Sequence, residues 1–200
     1  MSMETVYRLL YCVVKPFFCL CHPVRAVGRE NVPDGGVVLC ANHTALTDPL
    51  FVCFACTLRY QIRPMAKIEL SRVPIIGPLL GKAGVIYVDR GHADMKAVKA
   101  ALSWLKNQGK LLIFPEGTRS KGDEMHAFKM GSLQPAYMGK AAIVPVTLKH
   151  CYALDEKKSH IRSISVIYGK PIPYEEYGKI KQEELLTRLH DEIQRNVYAR

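Results

Sequence analysis

The strongest constraint on this chain is an alternation: short aliphatic, β-branched runs separated by segments of helical periodicity. Val37-Val38-Leu39-Cys40, Val85-Ile86-Tyr87-Val88, Leu111-Leu112-Ile113-Phe114, Ile143 to Leu148 and Ile164 to Tyr168 read as buried strands, with Pro64 to Lys67 a further short one. Pro49 to about Arg59 reads as a helix. His92 to Gln108 is a stronger one, with Asp94 as N-cap, Met95, Val98, Leu102 and Leu105 as its apolar stripe, and Gly109 as its stop. Val73 to Gly84 is interrupted by Pro74, Gly77, Pro78 and Gly81, so it reads as a connector with a short helix at most. In Gln182 to Tyr198, Leu185, Leu186, Leu189, Ile193 and Val197 line one helical face. Strands alternating with helices predict a three-layer α/β domain, whose sites gather where strands end and loops begin.

Two hundred residues suit one domain with a core of its own. Lys and Arg outnumber Asp and Glu by 28 to 18, a formal net charge of +10. Such a balance points to a polyanionic partner: nucleic acid, an anionic membrane surface, or phosphorylated or acidic substrates. Aromatic and basic residues do not interleave as they do in base-stacking surfaces, which argues against nucleic acid. The seven cysteines are not spaced as a disulfide framework. Cys12, Cys19, Cys21, Cys40, Cys53 and Cys56 lie in apolar surroundings, and Cys53-x-x-Cys56 has helical spacing without a second pair. Core packing is favoured there over metal or redox chemistry, in a reducing, cytosolic setting.

At the N-terminus, Val6, Leu9, Leu10, Val13 and Phe17 recur at helical spacing, with Glu4, Arg8, Tyr11 and Lys15 opposite. Lys15-Pro16 interrupts the apolar run, so no stretch reaches the roughly 18–20 residues that span a bilayer. Glu4 and the lack of a small-x-small site argue against a signal peptide. Such a helix either lies in a membrane interface or packs on its own domain.

Three strand-end constellations carry chemistry. In Asn42-His43-Thr44-Ala45-Leu46-Thr47-Asp48-Pro49, Asp48-Pro49 reads as N-cap and first helical residue. That placement makes residues 43 to 48 a tight connection across which His43 and Asp48 face each other. A carboxylate accepting Nδ1–H fixes the imidazole tautomer and leaves Nε2 as a base. No G-x-S-x-G nucleophile is present, so the base would act on a hydroxyl of the substrate. The second constellation is Phe114-Pro115-Glu116-Gly117-Thr118-Arg119-Ser120, where Gly117, Ser120 and Gly122 suit a loop whose amides approach an anion and Arg119 adds a planar fork. The third is Asp89-Arg90-Gly91, which alone reads as a surface ion pair. Gly77 to Lys82 is one spacer short of a P-loop, and Ala83 replaces its Ser or Thr, so triphosphate binding is excluded.

Together these segments resemble the 1-acyl-sn-glycerol-3-phosphate acyltransferase family, also called lysophosphatidic acid acyltransferases. The resemblance rests on Asn42-His43 with Asp48, then Gly84 to Arg90, Phe114 to Ser120 and Val144-Pro145-Val146, in that order; Lys67 to Leu70 and Phe128 to Gly131 also match. It spans roughly residues 25 to 175, and Ala45 departs from a frequent serine. The resemblance implies a three-layer α/β acyltransferase domain with a mixed central sheet over residues 25–200, preceded by an amphipathic membrane-associating helix over residues 1–24. It implies that His43, oriented by Asp48, deprotonates the sn-2 hydroxyl of lysophosphatidic acid, which attacks an acyl-CoA or acyl carrier protein thioester to give phosphatidic acid. Substrate contacts would come from Asn42, Lys67, Arg90, Glu116, Gly117, Thr118 and Arg119, with Val144, Pro145 and Val146 as an apolar wall for an acyl chain. Neither metal nor cofactor is required. Val6, Leu9, Leu10, Val13, Phe17 and Phe18 would hold the protein on an anionic membrane surface, peripherally and from the cytosolic side. Rival readings are the same chemistry on glycerol-3-phosphate or another lysolipid, a thioesterase, and a non-catalytic basic membrane-binding module.

Overall fold

The computed structural model describes residues 2–89, 94–151 and 163–199. Seven strands form one sheet: β1 (Val24–Val27), β2 (Val37–Ala41), β3 (Ile62–Lys67), β4 (Ile86–Val88), β5 (Lys110–Ile113), β6 (Ala142–Lys149) and β7 (Ile164–Tyr168), in the order β1-β7-β6-β2-β5-β3-β4. From β4 to β6 neighbouring strands are parallel, β7 is antiparallel to β6, and β1 is parallel to β7. The sheet is therefore mixed, and β2, β3, β4, β5 and β6 all end at one edge.

The helices are α1 (Met3–Cys21), α2 (Asp48–Ala55), α3 (Ile76–Lys82), α4 (Met95–Lys106), α5 (Gln134–Gly139), α6 (Tyr174–Tyr177) and α7 (Gln182–Tyr198). They cover both faces of the sheet. Val37, Leu39 and Ala41 of β2 point into one core cluster with Tyr7 of α1 and Phe51 and Val52 of α2. Val38 and Cys40 point into the other, with Ala97 and Leu105 of α4, Ala136 of α5, and Leu185 and Leu189 of α7. A strand buried on both faces must be apolar throughout, which is why Val-Val-Leu-Cys-Ala does not alternate.

Several elements differ from the sequence expectation. β1, α5 and α6 are too short to announce themselves by periodicity. The helix after the His43 loop ends at Ala55 and not near Arg59. α4 begins at Met95, where Asp94 caps it by accepting the amides of Lys96 and Ala97, each at 3.0 Å; His92 lies outside the described residues. Its buried stripe is Ala97, Ala101 and Leu105, while Met95 is exposed. The left-handed residue at its end is Gln108 (φ 60°), whereas Gly109 is glycine because a Cβ there would lie 2.1 Å from the Trp104 indole.

α1 docks by a face between the expected apolar and polar sides: Val6 and Tyr7 are buried, while Glu4 and Arg8 stay exposed. The Tyr11 hydroxyl donates to the carbonyls of Cys56 (3.2 Å) and Phe54 (3.4 Å), and the Phe18 ring meets Phe51 with centroids 6.1 Å apart. Amphipathic rings satisfy both the apolar surface and the exposed carbonyls, so they win this face over the plain aliphatics. Of the residues expected to contact a membrane, Val6 is buried, Leu10 and Phe18 are half-buried, and Leu9, Val13 and Phe17 face solvent at 53, 64 and 68% exposure. Leu20, at 81%, joins them. Among the cysteines, Cys40, Cys53 and Cys56 are buried as expected of small hydrophobes, as is Cys151, but Cys12 and Cys21 are exposed.

Candidate active site

His43 sits just beyond the end of β2, and its ring Nδ1 lies 2.9 Å from Asp48 Oδ2. Asp48 is fully buried; the same oxygen accepts the backbone amides of Thr44 at 2.6 Å and Ala45 at 2.9 Å. These donors supply hydrogen bonds to a carboxylate that is shut off from solvent. Asp48 is thus the first residue of α2 rather than its cap: Thr47 occupies the cap, and the Asp48 side chain turns back into its own loop. With a carboxylate as acceptor, Nδ1 carries the ring proton and Nε2 is the basic nitrogen.

Among the described residues, the other holds on His43 come from the loop after β5. Its amide donates to Glu116 Oε1 at 2.7 Å, its carbonyl accepts from the Ser120 amide (2.8 Å) and hydroxyl (3.2 Å), and its ring stacks on Phe114 with centroids 4.2 Å apart. The second Glu116 oxygen accepts the His126 amide at 2.9 Å. Burial raises the Glu116 carboxyl above its ordinary range, against the opposing pull of these two amides. A ring fixed at Nδ1, on one face and through its backbone presents Nε2 in one direction only.

The structure redistributes several of the expected roles. Glu116 and Asn42 are buried with their polar atoms engaged: Asn42 donates to the Leu148 carbonyl at 3.0 Å and accepts its amide at 2.7 Å, pinning the His43 loop to β6. Both side chains are therefore engaged within the protein. Val144, Pro145 and Val146 pair with Leu39, Cys40 and Ala41 in the middle of the sheet, buried, so they form core and not an open wall. Thr118 and Arg119 are exposed just beyond Gly117 (φ 71°), and Lys67 is exposed at the end of β3, at the same sheet edge. Among the loop amides, Gly117 already donates to Phe114 and Ser120 to His43. Arg90 lies outside the described residues.

Two contributions were not anticipated. The Lys129 side chain lies across Gly117, with Cδ, Cε and Nζ each 3.0 Å from where a Cβ would stand, and the φ of 71° is what favours glycine there. Gln194 of α7 clamps the intervening loop, accepting the Met125 amide at 2.9 Å and donating to the Asp123 carbonyl at 2.8 Å. The match at Phe128 to Gly131 was a signal for the first; nothing in the periodicity of α7 marks the second. A cavity of about 240 Å³ lined by Tyr7, Tyr60, Trp104 and Lys110 lies by the starts of β3 and β5, at the opposite sheet edge from this chemistry.

Residues 23–149 match the family model described as Acyltransferase. The chain is 35% identical over 128 residues to a 1-acyl-sn-glycerol-3-phosphate acyltransferase of Borreliella burgdorferi, covering 60% of this chain and 49% of that protein. It is 28% identical over 195 residues to the protein of that name from Bacillus subtilis, covering 96% of this chain and 95% of the other. It thus spans about half of the first relative and nearly all of the second. The crystal structure of the 1-acyl-sn-glycerophosphate acyltransferase of Thermotoga maritima superposes with a TM-score of 0.75 at 24% identity, covering 98% of this chain and 76% of that one, which shows a common fold.

Proposed function

The chain belongs to the acyltransferase family, and from that premise we propose that it transfers a fatty acyl group from a thioester to the sn-2 hydroxyl of 1-acyl-sn-glycerol-3-phosphate, forming phosphatidic acid. The observation that carries the reading is the 2.9 Å contact between His43 Nδ1 and Asp48 Oδ2, which orients a base at a strand end where no nucleophilic serine or cysteine motif stands. His43 Nε2 removes the hydroxyl proton as the oxygen attacks the thioester carbonyl carbon. The tetrahedral intermediate then expels the thiolate, and the imidazolium returns the proton to sulfur. General-base help of this kind contributes about 10²–10⁴-fold.

The exposed cations at the same edge, Arg119 and Lys67, with Thr118 beside them and Arg90 after β4, are assigned to the acceptor's phosphate. Arginine's planar fork suits phosphate oxygens. Acyl-CoA is the proposed donor, with acyl carrier protein as the other thioester to test. Peripheral attachment to an anionic bilayer from the cytosolic side rests on α1, whose Leu9, Val13, Phe17 and Leu20 are exposed and lie outside both core clusters of the described residues. Among the described residues no helix is long and apolar enough to cross a membrane. Residues 1–24 as anchor and 25–200 as acyltransferase domain remain the proposed division.

The test is thiol release from palmitoyl-CoA in detergent micelles, with and without lysophosphatidate, for the wild type and His43→Ala. Release that requires both the acceptor and His43 is expected. Equal release without acceptor would make the protein a thioesterase, and preference for an acceptor lacking phosphate would displace lysophosphatidate as substrate.

A further inference from the structure

We propose that the turn Pro74-Ile75-Ile76 is a second bilayer-insertion element, which presses the Ile75 side chain into the lipid surface beside the active site. The proposal rests on the peripheral-membrane reading above for its partner, and on an independent backbone observation for its residues. Ile75 has φ 66° and ψ −54°, and the Ile76 amide donates to the Pro74 carbonyl at 2.7 Å. This is a γ-turn of the rare, strained hand. A β-branched residue at positive φ is a true outlier, and such outliers persist only where their surroundings over-determine them.

The surroundings here do so. The Gly77 amide donates to the Val73 carbonyl at 2.9 Å, closing the turn from below, and the Tyr87 hydroxyl donates to the Gly77 carbonyl at 2.6 Å. Gly77 is packed so closely on Ser71 that a Cβ would lie 2.2 Å from its carbonyl oxygen. The braced turn gains no interior contact from isoleucine, since Ile75 is 83% exposed. Asn or Gly would adopt this backbone at less cost. An apolar side chain held out in water by a strained turn is explained by a partner that covers it.

The partner is a lipid surface on three grounds. Val73, Ile76 and Leu79 are exposed on the same segment, so the patch is extended rather than a scattered single residue. α3 touches α1, which itself exposes Leu9, Val13 and Phe17. Lys67, Arg72 and Lys82 flank the turn against a single acid, Glu69, which suits anionic headgroups around an apolar tip. The turn follows the end of β3, at the edge that carries His43, and Leu46 of the His43 loop is itself exposed. Insertion of Ile75 would therefore tether the catalytic edge to the bilayer that supplies the acceptor, where α1 alone would fix only one side of the domain.

The full chain, Ile75→Gly, Ile75→Asn and Phe17→Asn are to be compared for binding to vesicles of equal parts phosphatidylcholine and phosphatidylglycerol, with thermal melts and sedimentation in parallel. The expected result is an unusual pair: vesicle affinity falls about tenfold for both Ile75 variants, while Tm stays equal or rises by about 2–4 °C as strain is relieved. Wild-type binding that the Ile75 variants retain in full would overturn the proposal and leave the α1 reading standing. Failure of the wild type itself to bind would sink the membrane reading and this proposal with it. A fall in Tm together with binding would make Ile75 a folding residue, and a dimer dissolved by Ile75→Gly without vesicles would make the turn a self-association surface; either overturns the inference.

Discussion

The buried carboxylate of Glu116 accepts the backbone amide of His43 at 2.7 Å, joining the loop after β5 to the loop after β2 across 73 residues of sequence. Its other oxygen takes the amide of His126. Two loops that read as separate motifs are thus one structure, in which the second cradles the base that the first supplies.

Glu116→Gln tests that cradle. A glutamine offers one acceptor oxygen, so whichever way it lies its NH₂ faces a donor, the amide of His43 or of His126. Loss of a hydrogen bond to a charged acceptor predicts destabilisation of about 1.5–3 kcal/mol at neutral pH, read from denaturant midpoints. The pH dependence has a defined sign. Burial raises the folded carboxyl above its ordinary 4.5, so between that value and the raised one the native state binds more protons than the unfolded state. The contribution of Glu116 is therefore largest at low pH and declines as pH rises through the window. Glu116→Gln, which has no such titration, should flatten that part of the stability curve.

Asp48→Asn separates charge from packing. The asparagine oxygen still accepts the Thr44 and Ala45 amides, so the loop keeps its shape. All three contacts run to the one oxygen, so Nδ1–H keeps its acceptor and only the negative charge beside the ring is lost. Without a carboxylate to stabilise the imidazolium that forms as the proton is taken, kcat should fall by about 10²–10⁴-fold with little change in KM for either substrate. A variant within threefold of wild type would remove Asp48 from the mechanism.

Asn42→Ala distinguishes a structural clamp from a substrate contact. It leaves both backbone groups of Leu148 buried without their partners, at about 1–3 kcal/mol each. The expected outcome is a marked fall in Tm, with acceptor KM unchanged in protein that remains folded. An acceptor KM that rises with Tm unaltered would return Asn42 to the substrate site.

What could be read without coordinates was what local chemistry encodes. The strands of the parallel core announce themselves because burial on both faces demands an unbroken apolar run, and His43 with Asp48 lies within one loop, where spacing alone limits the geometry. Long-range partners leave no such trace. The pairing of Asn42 with Leu148, of Glu116 with His43 and of Gln194 with the Met125 amide each depends on how distant segments pack. The same holds for α1. Its periodicity is correct, but which face docks was decided by Tyr7, Tyr11 and Phe18 finding core surface and free carbonyls, a property of α2 and not of α1. Val144, Pro145 and Val146 show the converse error, since an apolar triplet in a family motif is as well explained by a central strand as by a ligand wall.

Arg119→Ala tests whether the exposed edge of the cradle is a phosphate site. Arg119 is exposed two residues beyond Gly117, the position over which the Lys129 side chain is laid. A charge-assisted contact to an ionised oxygen is worth about 1.5–3 kcal/mol, which corresponds to a roughly 10–150-fold rise in KM for lysophosphatidate. The thioester KM should move far less, because the donor's reacting carbon need only reach the hydroxyl and not the phosphate. Arg119→Lys should recover part of the loss, as a point charge without the planar fork. Equal rises in both KM values would mean that Arg119 supports the loop as a whole. A loss of kcat without any change in acceptor KM would place it at the transition state, and the phosphate would then have to be held by Lys67 and Lys129.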